Sequence, residues 1–141
     1  MSAFEQQFAG FFHGVLRWSQ LDSLWQRVRS SDGWYVYFVG QELPSAPLDA
    51  EALQRFITEL DALLRREHDY DYCGIVYVDS LEAPTMVKVF DPHHLGSSCG
   101  SSGMRILPRW VLSQSPPVPL EVHEVTPQGR KRWWRTIFAH H

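Results

Sequence analysis

The spacing of hydrophobic residues predicts two helices near the start of the chain. In residues 2–17 an apolar stripe repeats at helical spacing, formed by Phe4, Phe8, Phe11, Phe12 and Val15. Ser19 is a favourable N-cap residue and predicts a second, short helix, which ends at the turn signal of residues 31–33. The polar face of the first helix lacks the lysine and arginine of a membrane-surface helix, so we expect its phenylalanines to pack in the core.

A longer helix is predicted over residues 50–67. Asp49 can cap it, Glu51 lies in its first turn and two arginines lie in its last turn, as the helix dipole favours. Its apolar stripe comprises Leu53, Phe56, Ile57, Leu60 and Leu64. This pattern predicts that Ile57 and Leu60 are buried.

The remaining apolar runs favour strands. Residues 34–39, 75–78 and 86–90 are rich in β-branched and aromatic side chains. Residues 80–84 have a length typical of a hairpin connection between the last two runs. Lys88, inside the later run, indicates a solvated face or a strand edge.

Four weaker elements follow toward the end of the chain. Residues 106–107 and 110–112 have an extended pattern, residues 120–125 suggest one short strand, and residues 132–138 suggest a last strand or a brief helix. Together the elements predict an α+β fold: a mainly antiparallel sheet of about four to six strands, with the N-terminal helices and the central amphipathic helix packed on it. A chain of 141 residues with 44% hydrophobic residues predicts a single domain over residues 1–141.

The charge distribution excludes some functions. The formal net charge of −3 and the pI near 6.1 argue against a dedicated nucleic-acid-binding protein. Residues 41–82 hold ten acidic and three basic residues, whereas residues 103–141 hold six basic and two acidic ones. The asymmetry fits two solvated faces of opposite sign, and it also fits charge steering toward a partner or self-association.

The absence of targeting signals and of nucleotide-binding patterns is the basis for predicting the compartment and the cofactors. Cys73 and Cys99 do not make a disulfide framework, and no secretory leader or membrane-length apolar run is seen, so we expect a cytoplasmic protein with reduced thiols. The chain has neither the GxGxxG nor the Walker A pattern, and we predict no cofactor.

The segment 91–103, with the sequence DPHHLGSSCGSSG, is the strongest candidate for a contact loop. Its small residues can expose several consecutive backbone N–H groups, which can form a nest for an anion, although Gly/Ser stretches also form plain linkers. The predicted ligand- or partner-binding residues in this loop are Gly96, Ser97, Ser98, Gly100, Ser101 and Ser102.

An enzymatic alternative centres on Cys99. This cysteine could act as a thiolate nucleophile, with His93, His94 or His123 as base and Asp91 orienting the base. However, no helix is predicted after Cys99 to activate the thiol, and no acyl-transfer signature is present.

A metal site is a weaker alternative in the same region. The candidate ligands are His68, His93, His94, Cys99 and His123, but they show no CxxC or HxxxH spacing, and we predict no metal.

The second candidate contact surface is the segment 130–135. Arg132, Trp133, Trp134 and Arg135 interleave bases with aromatic rings, a pattern also found in nucleic-acid and anionic-membrane binders. The plainer interpretation is that one tryptophan packs in the core and the arginines pair with the acidic segment 41–82.

The leading functional hypothesis is a small non-enzymatic accessory protein, such as an adaptor or a regulatory protein. It would contact a protein partner through the 91–103 loop and the aromatic C-terminal segment. The alternatives are an enzyme or thiol/metal-dependent site centred on Cys99 with His93 and His94, and a nucleic-acid or anionic-surface binder using residues 130–135.

Overall fold

A computed structural model describes residues 2–94, 106–122 and 125–138. Five strands form one antiparallel sheet: β1 (His13–Val15), β2 (Tyr35–Phe38), β3 (Val76–Val78), β4 (Met86–Val89) and β5 (Trp110–Ser113). The helices are α1 (Ala3–Phe8), α2 (Trp18–Arg29), α3 (Ala50–Glu67) and α4 (Gln128–Phe138), and a short 3-10 helix covers Pro92–His94. The α+β prediction is therefore confirmed.

The strand order β1-β3-β4-β5-β2 places β4 at the centre of the sheet and leaves β1 and β2 at its edges. The predicted hairpin is present, because β3 pairs with β4 in antiparallel register, with Val76 opposite Val89. The predicted helix 50–67 is also present, and the Asp49 carboxylate accepts a hydrogen bond from the Ala52 N–H at 2.8 Å.

The two faces of the sheet are covered differently. The larger core lies between one face of the sheet and the helices α2, α3 and α4, and its buried residues include Leu24, Ile57, Leu60, Val87 and Trp110. The other side, which we call the second face, has a smaller core of Phe4, Tyr37, Val39, Met86 and Val111. This smaller core is covered by α1 and by apolar residues of the segment 118–122.

The prediction of one helix over residues 2–17 is wrong. α1 ends at Phe8, the chain turns at Gly10, and β1 then pairs with β3, so that Val15 lies opposite Val76. Phe4 is buried, whereas Phe11 is 94% exposed. The sheet can bury Val15 at its edge, and Gly10 and Gly14 weaken a continuous helix.

Two further expectations change. α2 begins at Trp18 rather than after Ser19, because the Gln20 side chain accepts from the Arg17 backbone N–H at 3.0 Å and completes the first turn. Residues 120–122 and 125 are not in a strand. Residues 120–122 follow the second face, where the Leu120 N–H donates to the Tyr37 hydroxyl at 3.2 Å.

Of the two alternatives for the end of the chain, the helix is present. Trp133 and Trp134 lie on α4 within Gln128–Phe138. None of the helices in the described ranges is long and apolar enough to cross a membrane.

Candidate functional site

The structure describes only the first part of the predicted 91–103 loop. Asp91 and His93 are described, and His94 ends the 3-10 helix. Two candidate catalytic residues, Cys99 and His123, lie outside the described residues. So do the predicted loop contacts: Gly96, Ser97, Ser98, Gly100, Ser101 and Ser102. Their roles stay predictions.

Asp91 is the centre of a buried ion network. Its Oδ2 accepts hydrogen bonds from Arg109 Nε and Arg130 Nε, each at 2.9 Å. Its Oδ1 accepts from Arg130 Nη2 at 3.0 Å and from the His93 backbone N–H at 2.9 Å. Asp91 is 2% exposed, so these bonds replace water around a charge that would be costly to bury alone.

Arg130 joins Asp91 to a second carboxylate, Glu67, at the end of α3. Its Nη2 donates to Glu67 Oε1 at 2.7 Å and its Nη1 donates to Oε2 at 3.1 Å. The exposed His93 ring contacts the same Oε1 through its Nε2. One arginine of the basic C-terminal segment thus pairs with the acidic segment 41–82, as the plainer interpretation of segment 130–135 predicts.

The network shifts the pKa values of its members. Burial alone would raise the pKa of Asp91, but hydrogen bonds from Arg130, His93 and Arg109 outweigh it and hold this pKa well below its usual range. The Arg130 hydrogen bonds lower the pKa of Glu67. Burial alone would lower the pKa of Arg130, but the hydrogen bonds to the two carboxylates raise it. The guanidinium and both carboxylates are therefore charged at neutral pH.

The outer nitrogen of Arg109 is a buried donor. Its Nη2 has no hydrogen-bond partner in the described part of the chain, although only 8% of the side chain is exposed. A buried donor without a partner costs roughly 1–3 kcal/mol, so this guanidinium favours an acceptor such as a water or a carbonyl oxygen.

The predicted C-terminal contact segment divides between core and surface. The Trp134 ring centroid lies 5.0 Å from that of Phe38, and the Trp133 centroid lies 5.2 Å from that of Trp110. Arg132 and Arg135 are exposed. Both tryptophans therefore help to attach α4 to the core, and the two arginines are the part of the segment that is open to a partner.

The candidate metal ligands do not converge in the described residues. The buried His68 packs against the rings of Trp18 and Tyr70, whereas the His93 ring contacts Glu67. Within residues 2–94, 106–122 and 125–138 no group of three or more side chains could hold a metal ion.

An open cavity of about 260 Å³ lies on the second face, over β3 and β4. Its lining comprises Phe12, Gly74, Ile75, Tyr77, Lys88, Phe90 and Ile106. Of the two alternatives for Lys88, the strand edge is wrong, because β4 is the central strand, and the side chain lies half-buried at the open cavity on the second face. Its Nζ donates to the Phe8 carbonyl at 2.8 Å and lies 3.9 Å from the ring centroid of Phe12.

Exposed apolar side chains are concentrated along the β1 edge of the sheet and at the rim of this cavity. Seven large apolar side chains are exposed among the described residues, and six of them lie in this region. These six lie beside β1, on the neighbouring segment 70–77, or at the rim of the cavity. We call these six the corner surface: Phe11, Leu16, Tyr70, Tyr72, Tyr77 and Ile106. The seventh, Val125, lies beside Thr126, which bonds the Gln41 side chain beyond β2 at the opposite edge of the sheet. Apolar side chains grouped in this way are typical of interaction surfaces.

Tyr77 lies against Gly14 in the middle of the corner surface. A Cβ atom on Gly14 would lie 3.3 Å from Tyr77 Cε2, so the ring occupies the space that a side chain on β1 would need. The same ring packs edge-on against Phe90, with centroids 5.5 Å apart. Gly14 thus allows Tyr77 to form the wall between the cavity and the edge strand.

No protein-family model, curated protein or solved structure matches this chain.

The sequence interpretation missed the corner surface and the partners of Asp91. A signal for the ion network was present, since Asp91 and Arg109 each stand next to a strongly apolar run. A lone charge in such a position is usually buried with a partner. The cavity had no comparable signal, because Phe12 and Ile106 are 94 residues apart and are brought together only by the fold.

Proposed function

We propose that the protein is a non-enzymatic binding protein that contacts a partner protein through the corner surface. In this proposal the open cavity receives one apolar side chain of the partner. The observation that carries the proposal is the grouping of Tyr77, Ile106 and the cavity on one side of the sheet, while large apolar side chains elsewhere are mostly buried.

The size of the cavity favours a side chain over a whole small molecule. Its volume of about 260 Å³ is below the roughly 300–1,000 Å³ typical of small-molecule sites. Its walls are aromatic and aliphatic, with the Lys88 ammonium among them. Hot spots of protein interfaces have this composition, with one bulky side chain of the partner filling a pocket in the apolar patch.

The proposal also keeps a role for the 91–103 loop. The chain leaves the sheet through Phe90, which lines the cavity, and it returns at Ile106, which lines it too. Both ends of the loop therefore adjoin the cavity, and the predicted loop contacts could reach a partner bound there. The exposed Arg132 and Arg135 would be a separate and weaker contact.

A library of random linear peptides displayed on phage tests the proposal. We expect selection on the wild-type protein to yield peptides that share a bulky apolar residue. For such peptides, Ile106→Glu should weaken binding at least about tenfold, because it places a carboxylate at the rim of an apolar cavity. Isothermal titration calorimetry measures the dissociation constants.

Val125→Glu is the matched control, since it introduces the same charge at an exposed apolar position outside the corner surface. It should leave peptide affinity unchanged. Peptides that bind both variants as tightly as the wild type would contradict the proposed site. A selection that yields no peptide sharing an apolar residue would contradict it as well.

A further inference from the structure

The two edges of the sheet are protected to different degrees. Along β2 the Leu48 N–H bonds the Trp34 carbonyl at 2.9 Å, and Val36 is only 3% exposed. On β1, by contrast, His13 is exposed and Gly14 is half-exposed. Natural sheets usually cover or charge their edges, and an uncovered edge can pair with another strand.

The hydrogen-bond pattern shows which groups of β1 face outward. The Phe90 N–H bonds the Ile75 carbonyl and the Asp79 N–H bonds the Met86 carbonyl, so the odd-numbered residues of β3 face β4. Backbone groups alternate along an antiparallel strand, and Val76 and Val78 therefore face β1. Their partners there are Val15 and His13. The N–H and C=O of Gly14 consequently point away from the sheet.

These outward groups have no partner in the chain as described. In residues 2–94, 106–122 and 125–138, no backbone or side-chain hydrogen bond reaches Gly14 from outside the β1–β3 ladder. Two apolar side chains beside this short edge are also uncovered, since Phe11 is 94% exposed and Leu16 is 60% exposed.

From this geometry we propose that β1 pairs with β1 of a second copy of the chain, in antiparallel register centred on Gly14. The Gly14 N–H and C=O of each copy bond those of the other, and the two sheets join into one of ten strands. The two-fold axis of an antiparallel pair is perpendicular to the sheet, so both cavities lie on the same side of the dimer. The inference does not depend on what the cavity binds.

The side chains around Gly14 are self-complementary in this register. On the second face, Phe12 lies opposite Leu16 of the partner subunit, which gives an apolar pair. On the helix face, Phe11 lies opposite Arg17 of the partner subunit, and a guanidinium over an aromatic ring is favourable. Arg17 is exposed and its backbone is still extended, with φ −101° and ψ 144°. Gly14 leaves room for the two backbones and the Tyr77 rings to meet at the axis.

Sedimentation equilibrium of the full chain tests the inference. Between about 1 and 200 µM we expect the mass to rise from that of one 16.4 kDa chain to twice that value. Leu16→Asp should raise the dimer dissociation constant at least about tenfold, because it buries a carboxylate against Phe12 of the partner subunit. Val125→Asp, at an exposed site outside the edge, should leave it unchanged.

Amide hydrogen exchange provides a second readout that needs no variant. The Gly14 amide should exchange more slowly as the protein concentration rises, whereas the Gly33 amide, outside the edge, should not change. A chain that stays monomeric at the highest concentration would overturn the inference. A dimer that is indifferent to Leu16→Asp, or whose Gly14 amide exchanges at a rate independent of concentration, would overturn it too. Peptide binding by a monomer would leave only the proposed function standing.

Discussion

Arg130 donates hydrogen bonds to both carboxylate oxygens of Asp91, to Oδ2 at 2.9 Å and to Oδ1 at 3.0 Å. The two residues are 39 positions apart, one on the last helix and one directly after the central strand region. Because Asp91 also accepts from Arg109, its carboxylate neutralises charge on two buried guanidinium groups. Asp91 therefore helps to hold α4 in place, together with Glu67 and the packing of Trp133 and Trp134.

Asp91→Asn should be strongly destabilising. The amide keeps the shape of the carboxylate but removes its charge, so Arg109 and Arg130 stay buried without full compensation. We expect a loss on the order of 3–5 kcal/mol in the free energy of unfolding, measured with guanidinium chloride. Glu51→Gln is the control, because Glu51 is 88% exposed and 3.7 Å from Arg55, and it should cost less than about 1 kcal/mol. Equal effects of the two changes would contradict the role assigned to Asp91.

Acid should weaken the fold through the same network. The pKa values of Asp91 and Glu67 are lowered in the folded chain from their ordinary 3.8 and 4.5, so on acidification the unfolded chain binds protons first. The stabilisation is complete above about pH 5 and is lost as the pH falls through the folded pKa values. Unfolding with denaturant between about pH 7 and pH 2 should show this decline.

Glu67→Gln should reduce the steepness of this decline, because it removes one of the two shifted carboxylates while Arg109, Arg130 and Asp91 stay in place. The exposed Glu59→Gln serves as the control and should leave the pH profile unchanged. A wild-type stability that stays constant down to about pH 3 would contradict the linkage.

The buried face of α3 offers a test of the core. Ile57 and Leu60 are both fully buried, as the apolar stripe predicted. Truncating either to alanine should cost about 2–5 kcal/mol, because the side chains lose burial and leave a cavity. Glu59→Ala, on the exposed side of the same helix, should stay within about 0.5 kcal/mol. Losses below that value for Ile57 or Leu60 in denaturant melts would mean that the face is misassigned.

Cysteine alkylation separates the binding proposal from the enzymatic alternative. Cys73 is buried, and burial raises the pKa of its thiol, so iodoacetamide should modify it only when the chain unfolds. The sequence predicts that Cys99 reacts as an ordinary thiol, slowly at neutral pH, and that Cys99→Ser leaves fold and partner binding intact. Rapid modification of Cys99 near about pH 6, lost on mutating His93, would instead favour a nucleophile.

The spacing of apolar residues in the sequence was enough to predict the elements that keep one face buried along their whole length. The stripe of α3, the capping Asp49 and the β3–β4 hairpin could be predicted because their signals are local: spacing, a cap and a short turn. The α+β class followed from the order of these elements. The N-terminal phenylalanines were assigned to one helix because apolar residues at helical spacing do not show that the later part of the segment pairs with a sheet edge as β1.

Tertiary structure decided the features on which function depends. Asp91, Arg109, Arg130 and Glu67 meet because the end of β4, the start of β5, and the helices α3 and α4 converge, and no local spacing encodes that meeting. The open edge at Gly14 likewise exists only because the strand order leaves β1 outermost and places Tyr77 across it. Hydrogen-bond satisfaction and burial are properties of neighbours in space, and in this chain those neighbours are 18 to 94 residues apart along the sequence.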